Sequence, residues 1–181
     1  MIINKELQGN VVQLKPVEPE QAVKWFKTWD QDRMDLCLLD SEPANLWAET
    51  ESKTFLEELV PKIYFFSIHA VEDDKPIGSI SLDSFDWIAG NSWVGIGIGE
   101  PDYRSKGYGT DAMQVIVRYA FRVLNQHRVS LGVFEYNTRA IRSYEKAGFI
   151  EEGRLRQWVN RFGRRWDVIY MGILRKEWEQ L

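Results

Sequence analysis

Arg104-Ser105-Lys106-Gly107-Tyr108-Gly109-Thr110 is the stretch on which the reading of this chain turns. It ends a glycine-striped strand, Trp93 to Gly99, and opens an amphipathic helix, Ala112 to Leu124. Two glycines within three residues let the backbone turn tightly and aim several N–H groups at one anion. The helix behind them adds the partial positive charge of its N-terminus. This is the layout of a pyrophosphate cradle, so a nucleotide-like ligand is expected. A dinucleotide fingerprint needs G-x-G-x-x-G and a phosphate loop needs G-x-x-x-x-G-K-[ST], and neither fits. Asp102 stands where the third glycine after Gly97 and Gly99 would fall, and the pattern present is Arg-x-x-Gly-x-Gly.

Upstream of the turn, Asn10 to Pro16 reads as a first strand, and Glu18-Pro19-Glu20 opens a helix carrying Ala22, Val23, Trp25, Phe26 and Trp29. A second helix is expected from Asn45 to Leu59, with Asp30 to Ala44 as a loop flanking a pocket. Ile63 to Val71 and Ile77 to Phe85 pair as a hairpin across Asp73-Asp74-Lys75, and Ala89-Gly90-Asn91 turns into the striped strand. There Gly95, Gly97 and Gly99 share one face while Val94, Ile96 and Ile98 share the other. A bare face marks close approach by a backbone or a ligand, or close helix packing. Because this one leads into the phosphate turn, the ligand reading is preferred.

Downstream, Ala112, Met113, Ile116, Ala120, Val123 and Leu124 form one core stripe at helical spacing. Arg128 to Phe134 is the next strand, Asn137 caps a helix that Gly148 ends, and Phe149 begins a final hairpin turning near Asn160 to Gly163. The order β-α-α-β-β-β-α-β-α-β-β defines an α/β (α+β) chain.

The turn pattern, Glu100-Pro101 before it, and Asn137-Thr138-Arg139-Ala140-Ile141 with Tyr144-Glu145-Lys146-Ala147-Gly148-Phe149 after it resemble the GCN5-related N-acetyltransferase (GNAT) superfamily, and most of all its RimJ/RimL-like branch. The resemblance extends from Leu14-Lys15-Pro16-Val17 to Val168-Ile169-Tyr170-Met171-Gly172-Ile173-Leu174. It implies a single domain over residues 1–181, with helices on both faces of a mixed central sheet of about seven strands. It also implies a splay between the fourth and fifth strands, into which acetyl-CoA wedges. Backbone groups at the splay would pair with the pantetheine arm, and an N–H near Ile98 or Gly99 would polarise the thioester carbonyl. Arg104, Ser105, Lys106, Gly107, Tyr108, Gly109 and Thr110 would hold the coenzyme's phosphates, with Asn137 close to the cofactor. The family counterpart of Tyr144 points its hydroxyl at the coenzyme sulfur. A tyrosine with a pKa of about 10 keeps its proton at neutral pH and can give it to a thiolate. Packing on an apolar helix face is the other reading of Tyr144, and N-capping alone would account for Asn137.

Charge divides by halves. Residues 1 to 100 hold 18 Asp and Glu against 8 Lys and Arg, whereas residues 101 to 181 hold 9 against 15. A basic second half suits an anionic cofactor such as coenzyme A, and an acidic first half suits a cationic acceptor, unless both merely solvate the surface. The lone Cys37 excludes an internal disulfide and any multi-cysteine metal site, and His69 and His127 lack metal-ligand spacing, so no metal is expected. No apolar run approaches the ~20 residues of a membrane helix. The start lacks a signal-peptide layout, and a cytoplasmic protein with no membrane partner is expected. Arg154, Arg156, Arg161, Arg164 and Arg165, interleaved with Trp158 and Trp166, have the look of a nucleic-acid surface. A pI of about 5.3 argues against that, and a solvated, partner-facing or homodimer-facing surface comes first.

The expected activity is transfer of the acetyl group of acetyl-CoA to a primary amine by direct attack in a ternary complex. The acceptor is a protein N-terminus or a small amine. The alternatives are a spermidine or polyamine acetyltransferase and a non-catalytic acyl-CoA-binding sensor, which would need the phosphate turn without Tyr144. No general base is legible, although Asp83, Asp86, Glu100 and Glu135 lie near strand ends that should face the site.

Overall fold

The computed structural model describes residues 5–17, 19–29, 38, 48–59 and 62–181. Seven strands form one sheet in the order β1-β2-β3-β4-β5-β7-β6: β1 (Val12–Pro16), β2 (Tyr64–Ala70), β3 (Pro76–Asp86), β4 (Asn91–Ile98), β5 (Arg128–Phe134), β6 (Ile150–Arg161) and β7 (Arg164–Leu174). Every neighbouring pair is antiparallel except β4 and β5. Helices α1 (Pro19–Trp29) and α2 (Glu49–Leu59) follow β1. The parallel β4–β5 pair needs a long crossover, supplied by α3 (Tyr108–Arg122). Helix α4 (Thr138–Lys146) joins β5 to β6, and α5 (Arg175–Trp178) follows β7. The mixed seven-stranded sheet matches the expected architecture. The loop expected from Asp30 to Ala44, Cys37 within it and the start of the second helix at Asn45 lie outside the described residues, Leu38 apart.

Period-two alternation gives the sheet two faces. One carries Val12, Leu14, Ile68, Ile80, Leu82, Val129, Leu131, Ile169 and Met171, all buried against α3. The other carries Phe65, which packs with Val17, Ala22 and Val23 and with Leu56 of α2. Phe65 and its neighbour Phe66 belong to different clusters, so helices cover both faces.

Helix α3 departs from expectation at both ends. It starts at Tyr108 rather than Ala112, because Gly107, at φ 94°, turns the chain into the helix axis. It stops at Arg122, so Val123, expected in the core stripe, is 37% exposed. Val115, Val117, Tyr119 and Phe121 are buried besides the expected stripe, which makes α3 the enclosed axis of the molecule. Each such large apolar side chain contributes roughly 1.5–3 kcal/mol.

Asp111, in the first turn of α3, is also buried. Its carboxylate accepts the backbone N–H groups of Asn10, Val11 and Val12 at 3.1, 2.7 and 3.0 Å and so fastens the chain's entry into β1.

The β6–β7 hairpin turns at Phe162 and Gly163, at φ 55° and 75°, the positive pair a two-residue turn of this hand requires. The feature that positions the site is the short contact of β4 with β5. They pair only at Asn91↔Arg128, Ser92↔Val129 and Trp93↔Ser130. Beyond Trp93 the two strands diverge, while β3 follows β4 to Ile98 and β7 follows β5 to Phe134. The sheet opens as a V at the expected place. Among the described residues no helix is long and apolar enough to cross a membrane.

Candidate active site

The V holds a cavity of about 850 Å³. On the α1/α2 side of the sheet it is walled by Phe65, Ser79, Ser81, Gly95, Gly132 and Tyr170. On the α3 side its walls are the glycine turn and α4. Ile98, Gly99, Arg104, Ser105 and Gly107 border it, as do Gly109, Thr110, Asn137 and Tyr144. Two expected residues do not. The Lys106 side chain is exposed away from the cavity, and the Tyr108 hydroxyl donates to Glu72 Oε1 at 2.8 Å.

The turn is held in a conformation that offers donors. Ser105 at φ 61° and Gly107 at φ 94° are both left-handed. A Cβ at Gly107 would meet nothing within 4 Å, so glycine supplies dihedral freedom there rather than space. The first i→i−4 bond of α3 runs from the Asp111 N–H to the Gly107 carbonyl at 3.0 Å. The N–H groups of Tyr108, Gly109 and Thr110 are therefore the helix's orphan donors. The β2–β3 turn braces this segment from outside. The Tyr103 hydroxyl donates to Asp73 Oδ2 at 2.6 Å, which holds its pKa up at about 12, and its ring meets that of Tyr108 at 5.2 Å.

Arg104 points back at β4 rather than outward. Its Nε donates to the Ile98 carbonyl at 2.9 Å and a terminal nitrogen to the Gly99 carbonyl at 2.6 Å. The bare face of β4 is used in two ways. A Cβ at Gly99 would fall 2.0 Å from the Trp29 ring, so α1 covers that end, whereas Gly95 is exposed toward the cavity.

Helix α4 is fixed at two points. Asn137 Oδ1 accepts the Ala140 N–H at 3.2 Å, the expected cap, and the Ser143 and Thr110 hydroxyls lie 2.8 Å apart, tying α4 to α3. Tyr144 stands with its ring 6.3 Å from that of Phe149. Burial pushes its hydroxyl up to about 12, against the opposing charge of Arg139. It makes no hydrogen bond to a described residue, so its proton is both retained and uncommitted.

The four carboxylates considered as bases are occupied elsewhere and do not border the cavity. Glu100 accepts Trp29 Nε1 at 3.1 Å and Lys75 Nζ at 2.7 Å. Burial alone would raise its pKa, but those two donors hold it below the ordinary 4.5. Asp86 caps the N–H groups of Ile88 and Ala89, Asp83 accepts the Ser84 hydroxyl, and Glu135 accepts the Asp167 N–H. Among the described lining residues the charged groups are all cations: Arg104, Arg139, Arg142 and Lys146. The last two escaped the sequence reading, although their spacing with Arg139 along one helix face was visible in it. In the arginine-rich hairpin, Arg154 pairs with Glu151 at 2.7 Å and the Arg164 guanidinium lies 3.3 Å from the Trp166 ring centre.

An open sheet with a donor-rich helix start beside its gap and a protonated tyrosine across it is the equipment of an acyl transferase. Residues 20–149 match the acetyltransferase (GNAT) family, and the chain belongs to it as an N-acetyltransferase. It is 29% identical over 174 residues, 94% of either chain, to the SPbeta prophage-derived uncharacterized N-acetyltransferase YokL of Bacillus subtilis. It is 32% identical over 139 residues to spermidine N(1)-acetyltransferase of Vibrio cholerae, spanning 73% of this chain and 80% of the relative. The crystal structure of spermidine N-acetyltransferase from Vibrio cholerae in complex with CoA and spermine superposes with a TM-score of 0.82 over 93% of this chain and 98% of that one, at 23% identity. A GNAT-family acetyltransferase from Bacillus anthracis superposes with a TM-score of 0.79 over 94% and 98%, at 20% identity.

Proposed function

We propose that this protein moves the acetyl group of acetyl-CoA directly to a primary amine, with both substrates bound together in the cavity between β4 and β5. One observation carries the reading: the orphan N–H groups of α3 and the uncommitted hydroxyl of Tyr144 border the same cavity. The residues fit the ligand. Ser105, Gly107, Gly109 and Thr110, with the N–H groups at the start of α3, form the seat for the diphosphate, and the charges of Arg104 and Lys106 favour its approach. Tyr108 contributes its N–H rather than its side chain. Asn137 holds α4 against the cofactor. The diverging edges of β4 and β5 take the amides of the pantetheine arm as an added strand would.

The peptide between Ile98 and Gly99 has its carbonyl on Arg104, and a trans peptide points its N–H the opposite way. That Gly99 N–H is the donor we assign to the thioester oxygen as it gains charge. The acceptor attacks as a neutral amine, its nitrogen bonding the carbonyl carbon. On collapse the C–S bond breaks and Tyr144 gives its proton to the departing thiolate. The nitrogen's surplus proton passes to solvent, from which Tyr144 is restored.

The acceptor we favour is a small cationic amine of the polyamine type. It is supported by the spermidine acceptor named for the Vibrio cholerae relative and by the acidic balance of residues 1–100. A peptide N-terminus, in keeping with the RimJ/RimL-like resemblance, is the second reading. Self-association is supported by the dodecameric structure described for that spermidine N-acetyltransferase, and a cytoplasmic location suits acetyl-CoA as donor.

Thiol release from acetyl-CoA across a panel of polyamines, amino acids and Ala- or Ser-starting peptides tests the reading. Polyamine-dependent turnover is expected. Tyr144→Phe should lower kcat by roughly 100-fold or more while leaving acetyl-CoA affinity in place. Tight acetyl-CoA binding without turnover of any amine, or a Tyr144→Phe enzyme of normal kcat, would replace the enzyme with a sensor or Tyr144 with another acid.

A further inference from the structure

We infer that Glu72 and Asp73, at the tip of the β2–β3 hairpin, are positioning residues for the cofactor: they hold the glycine turn in its anion-binding form before a ligand arrives. The inference rests on the acetyl-CoA reading. It goes beyond it by giving part of the cofactor's affinity to residues that do not border the cavity.

The turn has a conformation it would not keep unaided. Ser105, a residue with a Cβ, stands at φ 61°, and Gly107 stands at φ 94°. Residues other than glycine enter that region only at a cost in free energy. The orphan N–H groups of Tyr108, Gly109 and Thr110 keep their aim only while the chain enters α3 in this form. From the side of β4, Arg104 holds the segment through the carbonyls of Ile98 and Gly99. The side chains of Ser105 and Lys106 bond to no described residue.

The hairpin tip supplies the rest. The Asp73 carboxylate accepts the Tyr103 hydroxyl at 2.6 Å, and the Glu72 carboxylate accepts the Tyr108 hydroxyl at 2.8 Å. These tyrosines flank the segment, one just before Arg104 and the other just after Gly107, and their rings meet edge-on at 5.2 Å. Lys75 adds a contact to Glu100 at 2.7 Å. Both ends of the segment are thus clamped to one place. That place is itself well tied: the Asp74 N–H donates to the Ala70 carbonyl at 2.9 Å, Asp73 Oδ1 accepts the Lys75 N–H at 3.1 Å, and Lys15 pairs with Asp74 at 2.5 Å.

Ordinary surface hydrogen bonding is the plain alternative. It leaves the choice of residue unexplained, because carboxylates near an anion seat weaken it by charge alone. Charge works against Glu72 and Asp73, so what they contribute is geometry. A seat that is already ordered binds its ligand without the entropic cost of ordering it. Both side chains are exposed, so the same bonds add little to the stability of the whole fold.

Calorimetry with CoA, and thiol release from acetyl-CoA with spermidine as acceptor, test the brace on Glu72→Ala/Asp73→Ala and on Glu72→Gln/Asp73→Asn. In the alanine pair CoA affinity should fall roughly tenfold, about the effect of two ordinary hydrogen bonds, and KM for acetyl-CoA should rise with it at unchanged kcat. The amide pair keeps an acceptor oxygen at each place and should bind CoA at least as tightly as the unaltered chain. Thermal midpoints without ligand should stay nearly in place in both. If spermidine is not acetylated, the calorimetric arm decides alone. Tighter CoA binding in both pairs would mean that the acids act by repulsion. A lower thermal midpoint with kcat falling alongside affinity would mean a merely structural role. Either result overturns the brace and leaves the acetyl-CoA reading standing, as does unchanged affinity in the alanine pair or an amide pair equally weakened. An unaltered chain that binds no CoA overturns both.

Discussion

Tyr144 keeps its proton because burial disfavours the phenolate, and this fixes the sign of its pH dependence. The hydroxyl stands near 12 in the folded chain against 10 ordinarily, so its contribution to stability is whole below pH 10 and is lost as pH rises toward 12. The rising limb of kcat/KM should therefore track the acceptor amine, and a falling limb centred well below pH 10 would assign the acid to another group. Asp111 works through geometry instead. In Asp111→Ala three backbone donors lose their acceptor, and the loss should be roughly 3 kcal/mol or more, read as a lower urea midpoint at unchanged m. Nothing in the sequence marked this residue. It reads there as an ordinary acid at a helix start, and the N–H groups it binds lie about a hundred residues earlier. Asn137 was legible as a helix cap because that signal is local, whereas Tyr144 was singled out by the family resemblance, its own residues allowing simple packing on a helix face as well.

At the scale of elements, the strands were legible, since alternation, glycine striping and turn residues are local signals, whereas the gap between β4 and β5 was implied only by the family resemblance. The start of α3 was not legible, because the residue that begins it, Gly107, also belongs to the turn. The bracing of that turn by the tip of the β2–β3 hairpin was equally hidden, as it depends on where two distant segments meet. The same tip contributes Lys75 to Glu100, whose other oxygen holds the Trp29 indole, so one carboxylate joins α1, the β2–β3 turn and the end of β4. Its folded pKa lies below the ordinary 4.5, so its stabilisation is present above that value and fades as pH falls through the folded one. Glu100→Gln should flatten the acid limb of the stability curve, followed by thermal melting in steps from neutral to acid pH. An unchanged limb would assign the acid sensitivity to other carboxylates.

For the whole molecule, ligand binding and folding are linked through the one gap in the sheet. Coenzyme A at 100 times its Kd should add about 2.7 kcal/mol, which for a chain of this size raises Tm by roughly 5–10 °C. A rise that does not grow with ligand concentration would mean binding outside the folded state. The cavity walls belong to both faces of the sheet, with Ser79 and Ser81 on one and Ser143 and Tyr144 on the other. A conjugate made by covalently joining donor to acceptor must then be threaded, narrow end first, as through the eye of a needle. Such a compound should arrive more slowly than either half alone and, once seated, be as slow to leave.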